Sequence, residues 1–536
     1  MIQKWILIFL IFQVSWVHAQ SVMKSKDPKQ AFASLASQIA LIKNPPKYNS
    51  KGPRWNFKPG SQIVVTINNS KILRRITPFN FGVNAAWWDG KKWFLNSQQV
   101  LKAQEAGIHF WRWPGGSASD NYFWNGKVLP GGKGIDAQMN DPEFVQTRNF
   151  MQFCRETHSQ PIFTVNFGLA RYGSVQEAAQ LAASWVRYCN IQHHWNVQYW
   201  EIGNEVYGAW ESGNQVAGKA PLNGKEYGHD FNIIVHAMKK IDPHIFVGAV
   251  AVNHDNGNTW TGYHWWMKQL LPEIQHSADF LILHQYFLWP YNQAHQYVAP
   301  SNKTIFDDWS KVQRSFQSVQ QMMKKYIPQT HPLPIALTEF NMINSSPRRT
   351  IELINGIFTA GVLGQALVSG YSAVDYWDWK NGLDYKLHGD HGMLSWNDQR
   401  IPNSTPRPSY YAFAIYHDAF GNQLIRCRSS NSSVKIYASR FSNGALGLIL
   451  LNISHHPRQV KFQFSHFKPQ GRLMGWVLTG NRLRSRRVTW NGHPGPQGGG
   501  GPFPLKAINP YHLQFHNSKS LKLNLAPISV SGVIIY

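Results

Sequence analysis

Two glutamates stand where short apolar runs give way to polar residues: Glu205 in "NVQYWEIGNEVYGAWE" (196–211) and Glu339 in "PIALTEF" (334–340). A carboxylate pair can divide its labour, one group protonating a leaving oxygen while the other attacks or stabilises an electrophilic carbon. Cleavage of a glycosidic bond needs that division, and its retaining form needs the two carboxyls about 5–5.5 Å apart. Taken alone, either glutamate could be only a polar cap where a strand leaves the core. Of the neighbouring acids, Glu201 is expected to be buried or bridging within the strand and Glu211 to sit in the loop that follows.

The elements that would bring the pair together are legible as a rhythm. Short apolar runs recur as "FGVN" (81–84), "IHFWRW" (108–113), "PIFTVNFG" (161–168), "VQYWEIG" (197–203), "IFVGAVA" (245–251), "DFLILHQY" (279–286), "PIALTEF" and "YSAVDYW" (371–377). Between them lie segments with apolar residues at helical spacing, among them 174–191, 225–241, 308–326 and 351–369. Eight strands alternating with helices predict an α/β fold, a (β/α)8 TIM barrel, in which strands four and seven face each other across the mouth. Arg112, Asn166, Glu205, His284, Glu339 and Asp378 close several of these runs, at the strand ends where such barrels carry their chemistry. Beyond residue 420 the pattern changes to short alternating segments separated by Gly, Asn, Pro and Ser, which predicts an appended all-β sandwich. The expected organisation is a signal peptide (1–19), a linker or arm (20–60) with one short helix at 30–42, a strand joining the sandwich (61–75), the barrel (76–420) and the sandwich (421–536). The glycine-rich stretch 491–504 is expected to be a loop.

"WEIGNEVYGAW" (200–210) resembles the strand-four Asn-Glu motif of clan A retaining glycoside hydrolases, and "ALTEFN" (336–341) resembles their strand-seven nucleophile motif. "FWRWPGGSASDNYFW" (110–124) is similar to the Arg-x-Pro-Gly-Gly segment of glycoside hydrolase family 51, the α-L-arabinofuranosidases, with related forms in the heparanase family. "RPSYYAFAIYHDAFGNQLI" (407–425) is similar to the join between barrel and sandwich in family 51. The resemblance implies Glu205 as general acid/base, Glu339 as nucleophile and Asn204 as hydrogen-bond partner of the 2-hydroxyl. It further implies Tyr286, with His284 beside it, steadying the nucleophile, and Arg112 keeping that carboxylate ionised. The chain departs from family 51 in the subsite that selects the sugar. Asn84, Trp87, Trp88 and Asp89 follow the first strand where the family has a sugar-binding Glu, and Ser117 stands for the usual Asn. An α-L-arabinofuranosidase-like activity and a β-glucuronidase/heparanase-like activity on an acidic glycan both remain open, as does a non-catalytic carbohydrate-binding barrel.

Trp87, Trp88, Trp210, Trp289 and Trp377 fall at strand ends or in the loops after them, where one or two could be platforms for sugar rings. His388, Asp390 and His391 form a combination that could ligate a metal, but a solvated loop facing the substrate is the expectation. The two-carboxylate mechanism requires neither metal nor cofactor.

The formal net charge is +25, and from Gly421 to Tyr536 there are fifteen Lys or Arg and no Asp or Glu. A domain of one sign would attract an anionic glycan or attach to an anionic surface, or simply keep the protein soluble. Export and the absence of a recognisable nucleic-acid motif count against a nucleic-acid partner. Lys4, the apolar run 5–14 and Val17-His18-Ala19 predict a signal peptide cleaved near Ala19 and a secreted or periplasmic protein with no transmembrane segment in its mature chain. Three cysteines exclude a disulfide framework; Cys154 and Cys189 are expected as buried small hydrophobes, with a single bridge between them as the alternative.

Overall fold

The computed structural model describes residues 43–48, 52–127, 143–254, 265–288, 291–292, 296–329, 332–343, 348–383, 388–515 and 521–536. The segment 1–19, the helix expected at 30–42 and Trp289 lie outside these residues.

A first strand, β1 (Ser61–Arg75), is followed by eight parallel strands that close into a barrel. They are β2 (Gly82–Asn84), β3 (Phe110–Trp113), β4 (Gln160–Val165), β5 (Tyr199–Ile202), β6 (Phe246–Val250), β7 (Phe280–Leu288), β8 (Ile335–Ile343) and β9 (Ala373–Tyr376). The expected (β/α)8 barrel is therefore present, with a strand in each of the eight apolar runs. These strands are buried along nearly their whole length, which is why they read as continuous apolar runs rather than alternating ones.

The helices start where the sequence supplies a cap. Ser174 Oγ accepts from Glu177 N at the start of Val175–Val186, and the Asn223 side chain accepts from Lys225 N and Glu226 N at the start of Gly224–Ile241. Each such cap contributes roughly 1 kcal/mol. Cys154 and Cys189 are both buried and both free, so no bridge joins them.

The second domain is also present. Its strands are β10 (Gln423–Ser429), β11 (Val434–Arg440), β12 (Leu446–Asn452), β13 (Arg458–Ser465), β14 (Arg472–Thr479), β15 (Thr489–Trp490), β16 (His493–Pro494), β17 (Tyr511–Gln514), β18 (Lys522–Leu525) and β19 (Ser529–Ile535). β1 lies between β10, antiparallel, and β13, parallel. The hydrogen bonding runs through one eleven-stranded sheet rather than two separate ones. Ile63, Val65, Leu448, Val460, Val477 and Leu523, from strands near both ends of that path, share one core, so the sheet closes over itself as the two layers of a sandwich do.

Barrel and sheet domain are joined by the helix Pro408–Ala419, whose Tyr410, Tyr411, Phe413, Ile415 and Tyr416 are all buried. Tyr416 Oη donates to Ala360 O, and Tyr437 Oη, from the sheet, donates to Gly361 O. The glycine-rich stretch 491–504 packs tightly on the barrel: a Cβ at Gly498 would lie 1.9 Å from Arg400 O and one at Gly501 2.3 Å from the Tyr411 ring. It includes the short strand β16, so it is in part an element and not wholly a loop.

Candidate active site

The site is organised around Arg112, near the end of β3 and fully buried. Its Nε donates to Glu201 Oε2 at 2.6 Å, Nη1 to Glu339 Oε1 at 2.7 Å and to Asn84 Oδ1 at 3.0 Å, and Nη2 to Asn204 Oδ1 at 2.8 Å. One guanidinium therefore ties β2, β3, β5 and β8 to the turn after β5. Burial pulls its pKa down, but the Glu201 and Glu339 charges outweigh burial and raise it, so it stays cationic. Thr164 Oγ1, on β4, supplies Glu201 with a second donor at 2.9 Å. Glu201 is thus buried and bridging, as its place in the strand suggested.

Glu339 lies where β8 is irregular against both neighbours, with register shifts between Leu283 and His284 and between Leu337 and Phe340. Such irregularities re-aim side chains at barrel rims. Glu339 Oε2 accepts from Tyr286 Oη at 2.9 Å, so each of its oxygens has a donor before any ligand binds.

Glu205 sits just beyond β5 with φ 43°, a left-handed conformation uncommon for a residue with a side chain. The sharp turn is set up by Gly203 at φ 78°, where a Cβ would meet Val206 Cγ1 at 2.6 Å. Glu205 Oε1 lies 2.9 Å from His284 Nδ1, and Oε2 accepts from Trp210 Nε1 at 3.1 Å. His284 Nδ1 is also 3.7 Å from Glu339 Oε2, so the histidine stands between the two carboxylates. One carboxylate oxygen of each glutamate and a His284 nitrogen all lie within 4.8 Å of one another, a spacing that could also hold a metal ion. Burial pushes the Glu205 pKa up, but the His284 hydrogen bond and charge, with donors from Trp210 and Tyr207, bring it below its ordinary value.

The structure brings together Arg112, Asn204, Glu205, His284, Tyr286 and Glu339. Of the aromatic candidates, Trp210 is 59 % exposed and bonded to Glu205. Trp88 and Trp377 are half-buried and flank the Pro-Gly-Gly turn: a Cβ at Gly115 (φ 117°) would lie 3.2 Å from Trp88 Cη2, and one at Gly116 (φ 46°) 2.7 Å from Trp377 Cη2. The two glycines therefore let both indoles close on the turn. Trp87 is no platform; it is buried and packs edge-on against Phe144, because the 3-10 turn 87–89 points it inward. The loop carrying His388, Asp390 and His391 is not simply solvated. Asp390 is fully buried, accepting from Gly382 N, Gly392 N and Arg407 Nη2, and His391 Nε2 contacts Ile343 O, so both are occupied in holding the loop.

Two acids of the site escaped sequence reasoning. Asp120 accepts from Asn204 N and Phe167 N, fixing the turns after β4 and β5. Glu211 is buried, and its Oε1 accepts from Asn204 Nδ2 at 3.0 Å and Ser117 Oγ at 2.7 Å. Asn204 is thus held on its oxygen by Arg112 and on its nitrogen by Glu211. The signal for Glu211 was its position seven residues past Asn204 in a turn-rich segment, which does not reveal which way the loop folds.

Burial, and then the charges of Asp120, Glu205 and Glu339, push the Glu211 pKa to about 9 from an ordinary 4.5. The folded state then holds a proton that the unfolded state releases, so this group's contribution to stability falls as pH rises from 4.5 to about 9. Glu211→Gln is expected to remove that slope: urea midpoints of the variant and parent should agree most closely near pH 5, and the variant should gain on the parent towards pH 9. A difference between them that does not change with pH would refute the assignment.

Residues 102–286 match the family described as the alpha-L-arabinofuranosidase 1 domain. Among curated proteins, the chain is 28% identical over 191 residues to a probable alpha-L-arabinofuranosidase C of Aspergillus fumigatus, covering 31% of this chain and 34% of that one. It is 25% identical over 219 residues to an intracellular exo-alpha-(1->5)-L-arabinofuranosidase of Acetivibrio thermocellus, covering 37% and 40%. The matches thus span about a third of the length of these relatives. Among solved structures, the fold is that of an alpha-L-arabinofuranosidase from Thermotoga maritima in complex with arabinose (TM-score 0.65, 16% identity, 88% of this chain and 99% of that one). It is also that of a family 44 xyloglucanase from Paenibacillus polymyxa (TM-score 0.60, 14% identity, 89% and 100%). The chain shares its architecture with these glycoside hydrolase structures, and its sequence is α-L-arabinofuranosidase-like, resembling family 51.

Proposed function

We propose that the protein is a retaining glycoside hydrolase that releases α-L-arabinofuranosyl units from a polysaccharide or glycoconjugate, with Glu339 as nucleophile and Glu205 as acid/base. The observation that carries this reading is the carboxylate pair, with oxygens within 4.8 Å across the barrel mouth. That spacing suits direct attack on a sugar carbon; the inverting arrangement, with its intervening water, needs about 6.5–9.5 Å between carboxyl groups.

In the first step a Glu339 oxygen bonds to the anomeric carbon, the glycosidic C–O bond breaks, and the Glu205 proton passes to the leaving oxygen. In the second, Glu205 takes a proton from water, the water oxygen bonds to the anomeric carbon, and the ester bond to Glu339 breaks. Arg112 and Tyr286 each donate to Glu339 and hold it aimed, and Asn204, clamped by Arg112 and Glu211, presents its amide to the sugar hydroxyl beside the reacting carbon. Trp88, Trp210 and Trp377 supply the aromatic surface for sugar rings. The test is a panel of aryl glycosides with proton NMR of the first-formed product. Release of arabinofuranose with retained configuration is expected, and inversion or no turnover across the panel would overturn the reading.

The Glu205–His284 contact gives this mechanism a pH signature. Only protonated Glu205 can donate in the first step, and His284 helps to hold its pKa below the ordinary value. His284→Asn removes the histidine charge, so the Glu205 pKa rises and the alkaline limb of kcat/KM moves to higher pH. A pH–rate profile with an unmoved limb would refute this role for His284.

Export is part of the proposal and rests on the segment 1–19; a mature N-terminus near Gln20, read by mass spectrometry of protein secreted by its host, is the expected result. Among the described residues, no helix is long and apolar enough to cross a membrane.

A further inference from the structure

We propose that the turn joining β14 to β15, together with Arg348 and Arg349 of the loop after β8, forms an arginine rim on the barrel mouth that holds an acidic polysaccharide. This rests on the glycosidase reading for the cleavage event, but not for the binding.

By sequence the basic charge belongs to the C-terminal domain and has no stated relation to the cleft. The fold brings part of it there. Residues 480–488 carry Arg482, Arg484, Arg486 and Arg487 and no acid. Leu483 and Val488 are buried and anchor the turn, while Arg482, Arg484 and Arg487 are exposed. The turn is pinned to the barrel by Leu353 N donating to Ser485 O (2.7 Å) and Ile354 N donating to Leu483 O (3.0 Å). These amides open the helix Leu353–Ser369, which follows β8, so the turn stands at the end of the barrel where Glu339 lies.

A second contact runs closer to the chemistry. Arg486 Nη2 donates to His388 O at 3.5 Å. Three residues on, the His391 ring stands edge-on to Tyr286 with centroids 6.5 Å apart, and Tyr286 donates to Glu339. Three residues span at most about 11 Å, so the arginine turn reaches within a short oligosaccharide of the reacting carbon.

The barrel supplies the rest of the arc. The Arg348 guanidinium lies 3.9 Å over the Tyr297 ring, and Arg349 bonds Glu352, Asn302 and the Pro300 carbonyl. Arg349 Nη2 is buried without a hydrogen-bond partner among the described residues. Pro300 also borders a cavity of about 510 Å³ lined by Phe287, Leu288, Tyr291, Val298 and Lys311, which continues the arc past the loop after β7. Two acids face this group: Glu352, paired to Arg349 and under the charges of Arg484 and Arg482, and Asp308, which lines the cavity and is paired to Lys311 at 3.0 Å.

Guanidinium forks match carboxylate and sulfate oxygens two by two, and the charges lie along an arc rather than in one pocket, so the fitting ligand is a chain with repeated anionic groups. At physiological salt a charge is felt over only about 8 Å, so the chain must lie in the rim to be held. Tyr297 has one face under Arg348, which suits charge pairing rather than base stacking and favours an acidic glycan over nucleic acid.

The test uses the full chain carrying Glu339→Gln, so that binding is measured without turnover, with polygalacturonate, neutral arabinan and single-stranded DNA as probes between about 50 and 200 mM salt. Adding Arg482→Ser, Arg484→Ser and Arg487→Ser is expected to weaken polygalacturonate binding at least tenfold and to flatten its salt dependence by about two to three log units per log unit of salt. Arabinan binding should be unchanged, and in the Glu339 parent so should hydrolysis of a small aryl arabinofuranoside. A control with Lys461→Ser, Lys468→Ser and Lys522→Ser, equal in charge but on the sheet domain's strands and loops, should lose less than threefold. The single Arg484→Glu variant, at an exposed position, repeats the test with little demand on folding. The inference is overturned if the rim variants bind polygalacturonate like the parent, if the lysine control loses as much, or if DNA is preferred. Rim-dependent binding in a protein that hydrolyses nothing would sink the glycosidase reading and leave the rim standing.

Discussion

Glu339→Gln is expected to lower kcat/KM on aryl arabinofuranosides by a factor on the order of 10⁴ or more, as loss of a covalent nucleophile does elsewhere. The protein should fold normally, because Gln keeps the shape of the side chain and can still accept from Tyr286. Its amide nitrogen, however, meets the Arg112 donor that now serves Oε1 at 2.7 Å, so a modest loss of stability is expected as well. Glu205→Gln should behave differently. Loss of the proton donor matters most when the leaving group is poor, so substrates with good leaving groups should retain far more activity than alkyl or polymeric ones. Azide should separate the two roles. With Glu339→Ala it should restore turnover and give a glycosyl azide of inverted configuration, and with Glu205→Ala one of retained configuration. The reverse pattern would exchange the roles of the two residues.

Arg112→Met should have the largest effect on stability, a loss of about 3–5 kcal/mol, because it leaves Glu201 buried with no cation beside it. The penalty arises from the orphaned charge more than from lost packing, and this can be separated. Arg112→Met combined with Glu201→Leu removes both members of the pair and should recover most of the lost urea midpoint. Activity should not return in the double variant, since Glu339 and Asn204 remain without their donor. If the double variant is as unstable as the single one, Arg112 acts mainly through the Asn84 and Asn204 bonds and the charge argument fails.

The eight barrel strands were legible because a strand buried on both faces must be mostly apolar, and β2 to β9 are, apart from side chains such as Arg112, Glu201, His284, Glu339 and Asp375. The carboxylate pair was legible because Glu205 and Glu339 each interrupt such a run at its polar end. Trp87 misled because an aromatic next to a strand end reads the same whether it points into the cleft or the core, and a single 3-10 turn decides which. The sandwich was read as short alternating strands without sight of the continuous sheet, since alternation reports which face is buried but not which edge finds which partner. Asp120 carries no local signal, and that of Glu211, its place seven residues past Asn204, does not say which way the loop folds. Their roles arise from atoms of Asn204, Phe167 and Ser117 that only the fold brings near.

The sequence by itself determined the barrel, the second β domain, the two glutamates and Arg112, because each depends on periodicity or on residue type at a strand end. Only the tertiary structure decided that Arg112 serves Glu201, Glu339, Asn84 and Asn204 at once, that His284 stands between the two carboxylates, and that the turn carrying the arginines of residues 482–487 is bonded to the start of the helix after β8 and, through Arg486, to His388 O. The physical reason is the same in each case. Hydrogen bonds and charges act over a few ångströms, and residues hundreds of positions apart come that close only when strand closure and domain docking place them there.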